Sequence, residues 1–134
     1  MTKEQVEISK YRFDCSKDDL ESSIIAFQNN KYKNSINRSY YAIFHSIRAV
    51  NALEGFDSKK HSGVIAFFFQ NFVKTKIFDT KCSKWIEQAF RIRNTADYED
   101  FYIVSKSEAE TQLQNATMFL ELTEKYLLEK WIKS

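Results

Sequence analysis

Proline is absent from the 134 residues, and glycine occurs only at Gly55 and Gly63. A β-rich chain of this length would need many such residues for its turns, so their scarcity points to an all-α fold. Cysteine is almost as rare: Cys15 and Cys82 stand alone, without C-x-x-C spacing or neighbouring metal ligands. That excludes a disulfide framework and a zinc ribbon, and reads as two buried thiols in a reducing cytoplasm. No run approaches the roughly 20 apolar residues of a membrane span, and no signal peptide is recognisable. A soluble, cytoplasmic protein without a membrane-embedded part is expected. Neither sign of charge dominates, since 20 basic residues nearly cancel 18 acidic ones to leave a net charge of +2. No global field is available to capture nucleic acid, so any such binding must come from a local patch.

What is present is a globular balance, 43% hydrophobic and 28% charged, expected to fold as one helical domain over residues 1–134. The spacing predicts a bundle of about five helices. The first covers Lys3 to about Asn30, with a possible kink at "DCSKDD", where Ser16 or Asp18 could cap a new start. Asn34 or Ser35 is expected to cap the second. Its seam is Ile36, Tyr40, Ile43, Ile47 and Val50, at alternating steps of four and three. Gly55 suits the left-handed residue that ends it. The third, about Lys60 to Lys74, contains "VIAFFFQNFV", with Phe67, Phe68 and Phe69 in three directions, and is expected to be buried on most sides. Asp79 or Thr80 caps the fourth, whose buried row is read as Trp85, Ala89, Ile92 and Ala96. Ser105 or Ser107 opens the last, with Glu108 in the first turn, after an ordered crossover at "YEDFYIVS".

Two places could carry chemistry. On the second helix, Arg38, Tyr41, His45 and Arg48 form a row beside the apolar seam, flanked by Asn37 and Tyr40. The plain reading is a solvated helix face with tyrosines covering the core edge. On the fourth, "FRIRNTADYEDF" gathers Arg91, Arg93, Asn94, Asp97 and Tyr98. Arg93 and Asp97 are one turn apart. A surface pair of this kind contributes only about 0.2–0.5 kcal/mol. A half-buried pair instead fixes a guanidinium in one aim, with Tyr98 as its stacking or hydroxyl-donating neighbour. The competing reading is a brace tying this helix to its surroundings. His61, after two lysines at a helix start, reads as an exposed residue first and as a donor to phosphate second. No metal and no cofactor are expected.

Three blocks, "NRSYYAIFHSIRAV" (37–50), "KKHSGVIAFFFQNFVKTKIF" (59–78) and "AFRIRNTADYEDF" (89–101), together resemble the HEPN family, the nucleotide-binding domain of higher eukaryotes and prokaryotes, in its small single-domain prokaryotic branch. The resemblance runs from about Tyr11 to Leu122. It implies a bundle of four or five helices, a homodimer, and a nucleotidyltransferase-type protein partner in a toxin–antitoxin-like or regulatory system. In several branches the domain is a metal-independent ribonuclease with the motif R-x(4–6)-H. Here Arg93 and Asn94 match the start of that motif, but residues 95–100 contain no histidine. Three readings follow. The first is a binding module that uses Arg38, Tyr41, His45, Arg93, Asn94, Asp97 and Tyr98 to hold RNA or a nucleotide phosphate, with arginine gripping phosphate and tyrosine stacking on a base. The second is an endoribonuclease in which Arg93 stabilises the phosphorane and His45 moves protons. The third is a non-catalytic scaffold.

Overall fold

In a computed structural model that describes residues 1–133, the order is α1 (Lys3–Gln28), α2 (Tyr32–Ala52), α3 (His61–Phe68), α4 (Lys81–Tyr98) and α5 (Lys106–Ile132), with no strand among the described residues. A π-helical turn, Phe69–Val73, continues α3. No helix among these residues is long and apolar enough to cross a membrane. The all-α bundle expected from composition is what forms.

Helix α1 starts on a reciprocal cap, in which the Thr2 hydroxyl accepts from the Gln5 amide and the Gln5 side chain accepts from the Thr2 amide, at 3.0 and 2.9 Å. The kink expected at "DCSKDD" does not occur, and the helix is continuous to Gln28. Ser16 caps nothing. It is fully buried, and its hydroxyl reaches the Ala42 carbonyl at 2.8 Å and the Ser46 hydroxyl at 2.6 Å. Ser9, Ser16 and Ser23, seven residues apart, form a stripe on α1 that faces Ser35, Ser39 and Ser46 of α2, all with 0% exposure. Seven residues is two helical turns, so one face repeats small side chains that let the two backbones close in. Every hydroxyl in the stripe is satisfied across the seam; Ser9 reaches the Ala49 carbonyl at 2.7 Å and Ser23 the Ser39 hydroxyl at 2.7 Å. That pairing matters, because a buried hydroxyl without a partner costs about 1–3 kcal/mol.

Neither Asn34 nor Ser35 caps α2, which begins earlier, behind Lys31 and without a side-chain cap. Ser35 belongs to the buried stripe instead, donating to the Ser23 carbonyl at 3.0 Å. The apolar seam of α2 is as expected: Ile36, Tyr40, Ile43, Ile47 and Val50 are all 0–1% exposed. This helix packs against each of the other four α-helices and forms the axis of the bundle. Gly55 ends it at φ +70°, and a side chain there would also meet the Gln5 amide group at 2.8 Å.

Helix α3 departs from its expected burial. Val64 and Phe68, continued by Phe72, make one buried stripe, while Phe67 and Phe69 are half-buried at its edges. Phe67 finds a partner in Phe56, stacked at 3.9 Å between centroids. On α4 it is the Asp79 carboxylate that caps, accepting from the Lys81 amide at 2.9 Å, whereas the Thr80 side chain makes no cap. Ser105 and Glu108 close the second reciprocal cap, at the start of α5. Cys15 and Cys82 are free, the first half-buried and the second buried. Burial pushes the Cys82 thiol up to about 11.

The buried row of α4 is shifted from the expected one. Ala89 and Ala96 lie in it, but Trp85 and Ile92 are only half-buried. The row is Cys82, Ile86, Ala89 and Ala96. At steps of four and three, the position between Ala89 and Ala96 is Arg93. An arginine therefore stands where the helix would otherwise place an apolar side chain, between the main core and a smaller cluster of Ile36, Ala96, Val104 and Ala109.

Candidate functional site around Arg93

Because Arg93 occupies the inward row of α4, its side chain meets α2 and is only 15% exposed. One terminal nitrogen donates to the Tyr41 hydroxyl at 3.1 Å and the other to the Asn94 carboxamide oxygen at 3.2 Å. The Asp97 carboxylate lies 3.0 Å from Nε. It is off the axis of that N–H, so the contact is an ion pair and not a hydrogen bond. The guanidinium carbon sits 5.3 and 5.4 Å from the ring centroids of Tyr40 and Tyr41, within range of attraction to both ring faces. Asn37 reaches Asp97 at 3.5 Å and ties the pair to α2.

The row expected on α2 does assemble beside this cluster. Arg38 donates to Asp19 of α1 at 2.9 Å and to the Asn37 oxygen at 2.7 Å, and lies 5.0 Å from the Tyr41 ring centroid. His45 packs 5.9 Å from Tyr41, its Nε2 3.8 Å from the same Asp19. Arg48 shares Asp57 with Arg12 of α1, at 3.0 and 3.1 Å. Three carboxylates, Asp19, Asp57 and Asp97, thus face four guanidinium groups. Two open hollows flank the row. One, of about 520 Å³, is bordered by Lys31, Lys33, Asn37, Arg38 and Asp97. The other, of about 540 Å³, is bordered by Tyr11, Arg12, Cys15, His45 and Arg48.

Tyr98 lies apart from the cluster. It is 76% exposed and makes no ring contact or hydrogen bond with Arg93. Arg91 is exposed on another face of α4, as the spacing implied. His61, in contrast, joins the cluster, although it was read first as an exposed residue. Its Nδ1 is 2.8 Å from the Tyr40 hydroxyl, and its ring lies 4.1 Å from Phe44 and 5.9 Å from Tyr41. The apolar start of α3 is what delivers it: burying Val64 against α2 turns His61, one turn earlier, onto the aromatic face of that helix. Asp19 and Asp57 were also missed, since nothing in their local sequence marks them as partners of residues 19 and 9 positions away.

Electrostatics keep both histidines neutral. Burial is the main cause of lowering at His45, reinforced by Arg48, Arg38 and His61 and opposed by Asp19. Burial again leads at His61, followed by Arg93 and Arg48. The Tyr40 phenol is pushed far up by burial, with Arg93 pulling the other way, and stays protonated. The site can therefore offer a fixed cation, the half-buried Tyr41 ring and the His61 imidazole to an anionic, base-bearing ligand.

The model of the HEPN domain matches residues 9–126. The chain is 35% identical over 83% of its length to "Putative toxin MJ0142" of Methanocaldococcus jannaschii, covering 76% of that protein. It is 32% identical over 85% of its length to "Putative toxin MJ0605" of the same organism, covering 84% of it. A "UPF0332 protein" of Thermotoga maritima is 30% identical over 81% of this chain and 82% of its own length.

Proposed function

The chain belongs to the HEPN domain family, and on that premise we propose that it is a toxin-like HEPN module that binds RNA or a nucleotide phosphate at the Arg93 cluster. In this reading it works in the cytoplasm as a homodimer, with a nucleotidyltransferase-type protein as its partner. The family membership and two relatives that carry the name "Putative toxin" support the setting. One observation carries the site: Arg93 occupies an apolar row of α4 and is gripped there by Tyr41, Asn94 and Asp97. A half-buried ion pair is poor value for stability, because apolar residues of similar volume are often neutral or better there. What it provides is a guanidinium of fixed aim with donors left over for phosphate oxygens. Tyr41 and the Arg38 head beside it supply stacking planes for a base.

Fluorescence anisotropy with a short labelled single-stranded RNA tests this. Wild type is expected to bind, and Arg93→Gln to bind about 10-fold or more weakly, the loss typical of a charge-assisted contact. Equal binding by the two proteins would remove the Arg93 cluster as the RNA site and leave it as a brace. The catalytic reading, metal-independent RNA cleavage, is favoured by one specific feature: histidines of two other helices pack on Tyr41 and Tyr40, the same two rings that the Arg93 guanidinium lies against. Light scattering on the purified protein checks the dimer, and co-purification with a nucleotidyltransferase-type protein checks the partner.

A further inference from the structure

We propose that His61, with the Tyr40 hydroxyl as its positioning partner, is the proton-transferring group that acts on RNA held at Arg93. The inference rests on the RNA-binding reading above and names the residue that would make the site catalytic. Three features single out His61. It is fixed at one nitrogen only: Nδ1 meets the Tyr40 hydroxyl at 2.8 Å, and the ring is packed on Phe44. Its Nε2 has no protein partner and is not among the enclosed unpartnered atoms, so it opens toward solvent. And Tyr40, whose hydroxyl holds His61, also has the Arg93 guanidinium carbon 5.3 Å from its ring centroid. His45 offers none of this. Its Nδ1 is enclosed without a partner, and its Nε2 is turned toward Asp19.

The choice of partner fits proton transfer. A hydroxyl both donates and accepts, so Tyr40 can donate to Nδ1 of one neutral tautomer and accept from Nδ1–H of the other, or of the imidazolium. The ring is then held in one place through a change of protonation. A backbone carbonyl could only accept. Every charged or titratable group facing the ring is accounted for: Tyr40, Tyr41, His45 and Arg48 from α2, and Arg93 from α4. Both arginines favour the neutral ring, which is the form that can accept a proton.

The step balances without a metal. His61 Nε2 takes the proton of a ribose 2′-hydroxyl, and the 2′-oxygen forms a bond to phosphorus as the bond from phosphorus to the 5′-oxygen breaks. The departing 5′-oxygen takes a proton from water, and the imidazolium returns its own to solvent. The products are a 2′,3′-cyclic phosphate and a 5′-hydroxyl end, while Arg93 faces the charge gathering on the phosphorane oxygens.

End-labelled RNA in EDTA, with binding measured in parallel by anisotropy, tests the inference. His61→Ala is expected to lose cleavage on the order of 10²–10⁴-fold, the range for removal of a positioned proton-transfer group, while RNA affinity stays within about threefold, a change too small for a lost charge-assisted contact. Added imidazole should restore part of that cleavage in His61→Ala and not in His45→Ala. Tyr40→Phe, which keeps the ring and removes the hydroxyl, is expected to shift the acidic limb of the pH–rate profile. Wild type that binds RNA without cleaving it, His61→Ala that cleaves like wild type, or imidazole rescue confined to His45→Ala would each overturn the inference and leave the binding reading standing. Arg93→Gln that binds RNA like wild type would instead overturn the binding reading, and this inference with it.

Discussion

Arg93 sits where its helix would otherwise bury an aliphatic side chain, and that placement divides stability from function. The double variant Arg93→Met, Asp97→Leu, which removes both charges of the pair, is expected to leave the free energy of unfolding unchanged within about 1 kcal/mol, or to raise it, while RNA affinity falls. Urea denaturation and anisotropy on the same preparation check both halves, and a large loss of stability would mean that the ion pair is a structural brace. The histidines make a second prediction at this scale. Both are held below their ordinary value of 6.5 in the folded chain, so between that value and the lowered one the unfolded chain binds more protons. Stability is then complete above about pH 6.5 and declines as pH falls below it. The urea midpoint should drop between pH 7 and pH 5.5, and the double variant His45→Gln, His61→Gln should flatten that slope. The Arg93–Asp97 pair was legible in the sequence because it lies within one turn. The Tyr41 partner, 52 positions away, and the Tyr40–His61 contact, 21 positions away, were not. Contacts of that range are set by how helices pack, which no local spacing records.

At the level of the helices, apolar periodicity identified the elements but misjudged phase and ends. Two places in the α4 row were read one residue off because Trp85 and Ile92 look like better core residues than Ile86 and Arg93, which hold those places. Ser16 of α1 and Ser35 of α2 were read as candidate caps because a lone serine favours a helix start. On α1 the seven-residue repeat of Ser9, Ser16 and Ser23 was the stronger signal, since two turns return a side chain to the same face. That repeat predicts intolerance to size. Ser16→Ala is expected to cost about 1 kcal/mol through loss of its two buried hydrogen bonds, to the Ala42 carbonyl and the Ser46 hydroxyl. Ser16→Leu should cost more, about 1–3 kcal/mol or beyond, because the two backbones leave no room for the side chain. Equal urea midpoints for the two variants would show that the α1–α2 seam is looser than described.

For the molecule as a whole, nearly balanced charge places the weight on local arrangement. The arginines at the site are partly neutralised by Asp19, Asp57 and Asp97, so in the proposed reading RNA would compete with carboxylates for them. If Arg38, Arg48 and Arg93 each meet a phosphate of one single strand, log–log salt dependence should have a slope of about −2, and Arg93→Gln should reduce it by about 0.7. A slope near zero would point to a neutral ligand. Fold class was legible from what the composition lacks, and the family from three ordered blocks. The two hollows beside the α2 row were not, because they arise from the angle at which α1 meets α2.

The serine-lined pairing of α1 with α2 also sets an order of events during synthesis. These two helices are adjacent in sequence and satisfy each other's buried hydroxyls, so the row Arg38, Tyr41, His45 and Arg48 can take shape as soon as they have left the ribosome. The groups that complete the site arrive later, His61 at the head of α3 and Arg93 near the middle of α4. A nascent chain stalled before α4 would thus display the polar row without the guanidinium it serves. Completion of the arginine cluster becomes a late event in translation, with the α1–α2 pair already in place to receive it.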